Sequence, residues 1–235
     1  ALALHGGIEI WAAVLTGIAA GGLMGALNGA LIHCTGINFF VLTLASGGML
    51  RGISLMITDG KPITKFGKAF MQLGIGEFQF PVLFALTLIL LSSPLMFHVK
   101  WGNYVQALGG SETALKRSGV RTGFYRISVH VFLGITAAVT AVIITARLNS
   151  AEPNAGMNME LDAITAVIMG GTPIRGGNAS IAGTVLAVLI LGIIRNGLTL
   201  LSVSSDFQQW VTGFLLLASV LISEIRVWNT RALIK

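Results

Sequence analysis

Trp101–Arg126 reads WGNYVQALGGSETALKRSGVRTGFYR, a polar and basic island in a chain that is 54% hydrophobic and only 10% charged. It holds Lys116, Arg117, Arg121 and Arg126, with Lys100 just before it and Glu112 as its acid. Gly109-Gly110 opens a short helical patch, Ser111 to Ser118, and Gly119 closes it. Apolar runs lie on both sides, Phe80–Val99 before and Ile127–Arg147 after. Each approaches the ~20 helical residues needed to cross a hydrocarbon core about 30 Å thick. The island therefore reads as a cytoplasmic loop with a short helix along the membrane surface. A partner pushes it, and the apolar spans respond.

Working outward, the same arithmetic finds spans at Trp11–Ile32, Ile37–Thr58, Ala179–Leu201 and Phe207–Ile222. Leu161–Gly171 is apolar but too short to cross alone, a pattern tolerated where a segment is shielded by protein or lines a cavity. The fold class is all-α: a polytopic transmembrane helix bundle of about six full spans plus one short or re-entrant helix. Residues 1–235 are expected to form one transmembrane domain, with the basic loop at 100–126. A soluble domain carries roughly 25% charged residues, far above this chain. Half of its 30 glycines fall inside the apolar runs. Gly17, Gly21, Gly25 and Gly29 recur every fourth position, one stripe on a helix, which suits close helix packing within the chain or, as the sharper alternative, a dimer seam. Phe66, Phe70 and Leu73 suggest a short interfacial helix between the second and third spans.

Orientation follows from lysine and arginine bias. With the island inside, Lys100, Lys116, Arg117, Arg121, Arg126, Arg175, Arg226, Arg231 and Lys235 are cytoplasmic, against Lys61, Lys65, Lys68, Arg147 and Arg195 outside. Net charge of +6 then speaks of orientation and lipid headgroups, and no basic patch interleaved with aromatics supports nucleic-acid binding. A phosphate-binding Gly-x-x-x-x-Gly-Lys-Ser/Thr loop is missing, so the chain is not expected to hydrolyse nucleotide. The four histidines lack metal-ligand spacing, and the single Cys34 cannot form an internal disulfide. Neither a metal nor a cofactor is expected. Carboxylates fall at span ends or in loops, which argues against an ion-coupled carrier, the alternative along with a passive channel or a non-transport scaffold. Glu160 and Asp162 stand at the start of the short helix, where capping its N-terminus is the plainer role and solute contact the sharper one.

Several stretches, in order, resemble the permeases of ribose-type carbohydrate importers of the ATP-binding-cassette class, in the branched-chain amino acid/ribose-type family. They are Ala26-Leu27-Asn28-Gly29, Phe40–Leu44 with Leu50-Arg51-Gly52, Gln106–Ala114 with Ser118-Gly119-Val120, Ser150–Gly156 with Glu160–Ile164, and Gly170-Gly171-Thr172 with Gly176-Gly177 and Gly183-Thr184. The resemblance implies an inner-membrane permease that dimerises with a second copy or a sister chain. It also implies a separate cytoplasmic ATPase subunit and a periplasmic substrate-binding protein. The coupling segment would include Gly109, Gly110, Ser111, Glu112, Ala114, Lys116, Gly119 and Arg121. For the sugar path, Phe39, Phe40, Thr43 and Asn154 are the candidates, because aromatic faces stack on sugar rings and amides bond hydroxyls; the plainer alternative is aromatics facing lipid or the core and an asparagine in a loop. Such permeases carry further N-terminal spans and an Asp-Leu-Ser type motif, which has no match here, so those spans are expected to be missing from this sequence.

Overall fold

A computed structural model describes residues 9–64, 66–76, 80–174 and 176–232. Lys65, Arg175 and Lys235, which entered the charge reading, lie outside the described residues. The described elements are α1 (Ile10–Thr35), α2 (Phe39–Thr58), β1 (Ile63–Thr64), α3 (Lys68–Ile75), α4 (Phe80–Phe97), α5 (Lys100–Gly110), α6 (Glu112–Arg117), α7 (Thr122–Leu148), β2 (Ser150–Ala151), α8 (Met159–Met169), α9 (Ile181–Leu200) and α10 (Ser205–Ala232). Five of the helices, α1, α2, α4, α7 and α9, are long and apolar enough to cross a membrane. The longest, α10, carries its own apolar run from Phe214 to Ile222. The architecture is the expected all-α polytopic bundle. Large apolar side chains such as Leu15, Met56, Leu90 and Ile193 stand exposed on the spans. Water would punish such a surface, whereas lipid tails are as apolar as leucine and leave it at no cost.

The chain forms two compact units, Ala1–Leu88 with Lys116–Gly156, and Ile89–Leu115 with Met157–Lys235. The first is built on the antiparallel pair α1 and α7. With no hydrophobic drive between helices in lipid, association rests on close backbone approach, and glycine permits it. A methyl group at Gly21 would sit 2.6 Å from the Ala138 Cβ and 2.7 Å from the Gly134 carbonyl oxygen. One at Gly25 would strike the His130 carbonyl, and one at Gly29 would come within 2.8 Å of the Ile127 Cα. The opposing Gly134 meets the Gly21 carbonyl in return. Gly17 has nothing near it. The contact therefore uses the stripe from Gly21 to Gly29 and ends before Gly17.

The interfacial helix expected around Phe70 exists as α3, but it packs on protein. Gly74 lies against the backbone of Ala146 and Arg147 at the end of α7, and Phe70 is buried. Beyond α7, Asn149 turns the chain at φ 49° into β2, which pairs antiparallel with β1 through Ile63–Ala151 and Thr64–Ser150.

In the second unit the short α8 packs against both α9 and α10. Gly170 and Gly183 meet backbone to backbone, so α8 and the start of α9 touch without side chains between them. Thr172 Oγ1 accepts from the Ser180 N–H at 3.1 Å, closing the connecting loop just before α9.

Candidate coupling surface and solute chamber

The island is more ordered than the expected loop. Residues 100–110 are helical, so Gly109 and Gly110 end α5 and do not open the next helix. Trp101, Tyr104, Val105 and Leu108 recur at helical spacing, but the flanking glycines obscured that period. Gln106 donates from Nε2 to the Met96 carbonyl at 3.0 Å, satisfying one of the orphan acceptors at the end of α4 and folding α5 back on it.

Ser111 then makes the corner with φ −160° and ψ 100°. Its Oγ accepts from the Ala114 N–H at 3.3 Å, the arrangement of a serine N-cap. The helix it starts, α6, is shorter at both ends than the Ser111–Ser118 patch read from the sequence. Glu112 lies in its first turn and Lys116 and Arg117 in its last, matching the helix dipole at both ends, and Leu115 is its buried anchor. Gly119 follows with φ 76°, a conformation that a side chain resists, and its N–H bonds the Lys116 carbonyl. Arg121 leads into α7.

The decisive feature of this surface is a four-glycine clasp. A methyl group at Gly109 would lie 2.8 Å from the Gly177 nitrogen and 3.2 Å from the Gly176 Cα. Gly176 and Gly177 have φ of 77° and 95°. The end of α5 is thus seated directly on the backbone that leads into α9. Sequence reasoning noted both glycine pairs and had no signal that they meet.

At the other end of α9 the structure adds residues whose partnership the sequence did not reveal. Arg195 donates from Nη2 to Asp162 Oδ1 at 2.8 Å and lies 3.5 Å from Thr212 Oγ1. Asp162 is therefore engaged by a neighbouring helix. The N-cap of α8 is Asn158, in the left-handed region and with no side-chain cap bond, while Glu160 and Asp162 lie in the first turn, where their charge suits the helix dipole. The pair lines two adjoining cavities of about 320 and 470 Å³ between α8, α9 and α10, which share Met159, Asp162, Arg195, Gln208 and Thr212. The signal was present as an arginine late in a span and an acid opening a short helix, but pairing them required the loop at residues 170–180, which turns α9 back along α8.

The remaining sequence candidates are dispersed. Phe39, Phe40 and Thr43 share the first turns of α2, where both rings are exposed and Thr43 Oγ1 donates to the Phe39 carbonyl at 2.8 Å. Asn154 is exposed in the turn after β2, and its neighbours Glu152 and Pro153 face the opposite end of α2 across a cavity lined by Ile53 and Thr58. The structure does not bring Asn154 to the two phenylalanines. Among the described residues no group of histidine, cysteine and carboxylate side chains is arranged to hold a metal.

Spanning helices packed through glycine, a capped and charged surface helix, and a polar pair at the edge of an apolar chamber define a polytopic membrane transport subunit. The chain belongs to the family described as branched-chain amino acid transport system / permease component, whose model matches residues 1–220. It is the permease component of an importer of the ATP-binding-cassette class, a multi-pass protein of the bacterial inner membrane. Among its relatives, the ribose import permease protein of Escherichia coli is 37% identical over 225 residues, covering 92% of this chain and 70% of the relative. The D-allose transport system permease protein of the same organism is 35% identical over 227 residues, 95% and 70% of the two chains. The L-arabinose ABC transporter permease protein of Azospirillum brasilense is 30% identical over 220 residues, 92% and 65%. No solved structure matches the chain.

Proposed function

We propose that this chain passes a pentose, a hexose or a related polyol across the inner membrane. It would work as one of two permease copies embedded in lipid, receive solute from a periplasmic binding protein, and respond to a separate cytoplasmic ATPase. The relatives named for ribose, allose and arabinose support the sugar. One observation carries the coupling: the clasp of Gly109 and Gly110 on Gly176 and Gly177. The two backbones meet directly, with no flexible side chain between them to absorb a displacement, so a push on the island would move the start of α9 with it. ATP-driven closure of the ATPase would act on Ser111, Glu112, Ala114 and Lys116, with Gly119 and Arg121 holding the exit of the segment.

This reading requires the island to face the cytoplasm. Lys116→Cys and Arg121→Cys, each in a Cys34→Ser background, are expected to react with an impermeant maleimide in inside-out vesicles and to be protected in intact cells. Labelling from the periplasm would overturn the coupling role. For the first unit we assign Phe39, Phe40, Thr43 and Asn154 to the solute path. Alanine at Phe39 or Phe40 is expected to lower uptake several-fold, roughly the effect of losing about 1 kcal/mol of ring contact. Uptake equal to wild type in these alanine variants removes the position from the path.

A further inference from the structure

Asp162 and Arg195 stand among mostly apolar walls, and the coupling reading does not use them. The Arg195 side chain is 52% exposed and that of Asp162 25%, so the pair is not sealed in the protein and both groups are reachable from the chamber. Ionisable groups on membrane helices are costly and mark solute or ion pathways.

We propose that the chamber between α8, α9 and α10 binds an uncharged polyhydroxy solute, with Asp162 and Arg195 jointly grasping a pair of neighbouring hydroxyls. This deepens the sugar reading above and rests on it. Among the described residues the ion pair is held by one bond, Nη2 to Oδ1. A carboxylate accepts through two oxygens and a guanidinium donates through five N–H groups, so both keep capacity for a ligand. A hydroxyl is both donor and acceptor. One hydroxyl of a vicinal diol laid against the pair donates a hydrogen bond to the carboxylate, and its neighbour accepts one from the guanidinium.

The rest of the wall suits the same chemistry. Gln208 and Thr212 contribute an amide and a hydroxyl, while Met159, Val211 and Leu215 offer an apolar face for ring C–H groups. Asp162 and Arg195 are the ionisable side chains of this wall, and their charges cancel. A solute without net charge leaves that balance undisturbed, whereas one with a net charge does not. The cavities, about 320 and 470 Å³, have the size of small-molecule sites. Position agrees as well. From Ser180, beside the clasp, α9 rises about 22 Å to Arg195. With the island in the cytoplasm, the chamber lies toward the outer end of its unit, where solute arrives.

The test uses the whole importer, with its ATPase and binding protein, in vesicles. Thr212→Cys in a Cys34→Ser background places a thiol on the chamber wall. Whichever of D-ribose, D-allose and L-arabinose the importer accumulates is expected to slow maleimide labelling roughly tenfold at about ten times its Kd. L-Leucine is expected to give no protection. Asp162→Asn and Arg195→Gln are each expected to lower uptake by about ten- to a hundredfold, the scale of lost hydrogen bonds to charged groups. The double variant Asp162→Leu/Arg195→Leu distinguishes grasping from packing, since a merely structural pair tolerates apolar replacement. Uptake is expected to stay lost in that variant.

Sugar uptake without protection, or full uptake in the double leucine variant, overturns the chamber and leaves the sugar reading standing. Protection by L-leucine overturns the uncharged solute. Failure of the wild-type importer to accumulate any of the three sugars overturns the sugar reading, and the chamber proposal falls with it.

Discussion

Gly25→Leu is expected to stop the chain from accumulating in the membrane, while Gly17→Leu accumulates at the wild-type level. The difference follows from what each new side chain would meet. At Gly25 the first added carbon already collides with the His130 carbonyl and crowds the Val131 Cα, both fixed parts of α7. No rotamer relieves a clash at Cβ, so the two helices must separate. Overpacking a well-fitted contact costs typically about 1–3 kcal/mol. The cost is larger here because separation removes the whole face from Gly21 to Gly29. Lipid offers no hydrophobic drive to restore it. Gly17 has open space around it, and leucine there adds one more apolar side chain facing lipid. Membrane-fraction abundance and thermal stability in detergent measure both variants. Equal abundance of the two would show that α1 and α7 do not meet through these glycines.

The second large effect is expected at the clasp, where neighbouring glycines should behave differently. Gly109→Ala places its methyl 2.8 Å from the Gly177 nitrogen, closer than real contacts allow. Gly110→Ala places it 3.7 Å from the Gly177 Cα, an ordinary contact. In the reconstituted complex, Gly109→Ala is expected to reduce solute-stimulated ATP hydrolysis about tenfold or more, equivalent to roughly 1.4 kcal/mol or more of lost coupling, with Gly110→Ala close to wild type. Gly110→Pro removes a helical N–H at the end of α5. Glu112→Arg places a cation at the positive end of the α6 dipole and adds to an already basic surface. Both are expected to insert normally and to lose the stimulation. Normal stimulation in Gly109→Ala, Gly110→Pro and Glu112→Arg together would remove the island from the coupling path.

The parts of the molecule legible in the sequence are those governed by local rules. Hydrocarbon thickness sets span length, so the spans at α1, α2, α4, α7 and α9 were visible as apolar runs, and the half-length α8 as an interrupted one. The four-residue glycine period marked a packing face, although not its partner or its end before Gly17. The island was recognisable by charge and by the serine before Glu112, but α5 was missed because its glycines masked its helical period. The place of Asp162 at the start of α8 was legible as a capping or solute-contact position, but its bond to Arg195, far along the chain, is encoded by no periodicity.

By itself the sequence determined that this is a helical membrane protein and which segment is polar enough to face a partner, because lipid and water sort residues by composition; its resemblance to permeases lay in ordered motifs, not in composition. Only the tertiary structure decided that Gly109 rests on Gly176 and Gly177, and that Asp162, Arg195 and Thr212 share a chamber. Those juxtapositions depend on which helix faces touch, and in lipid that is settled by backbone fit and hydrogen bonding between distant residues.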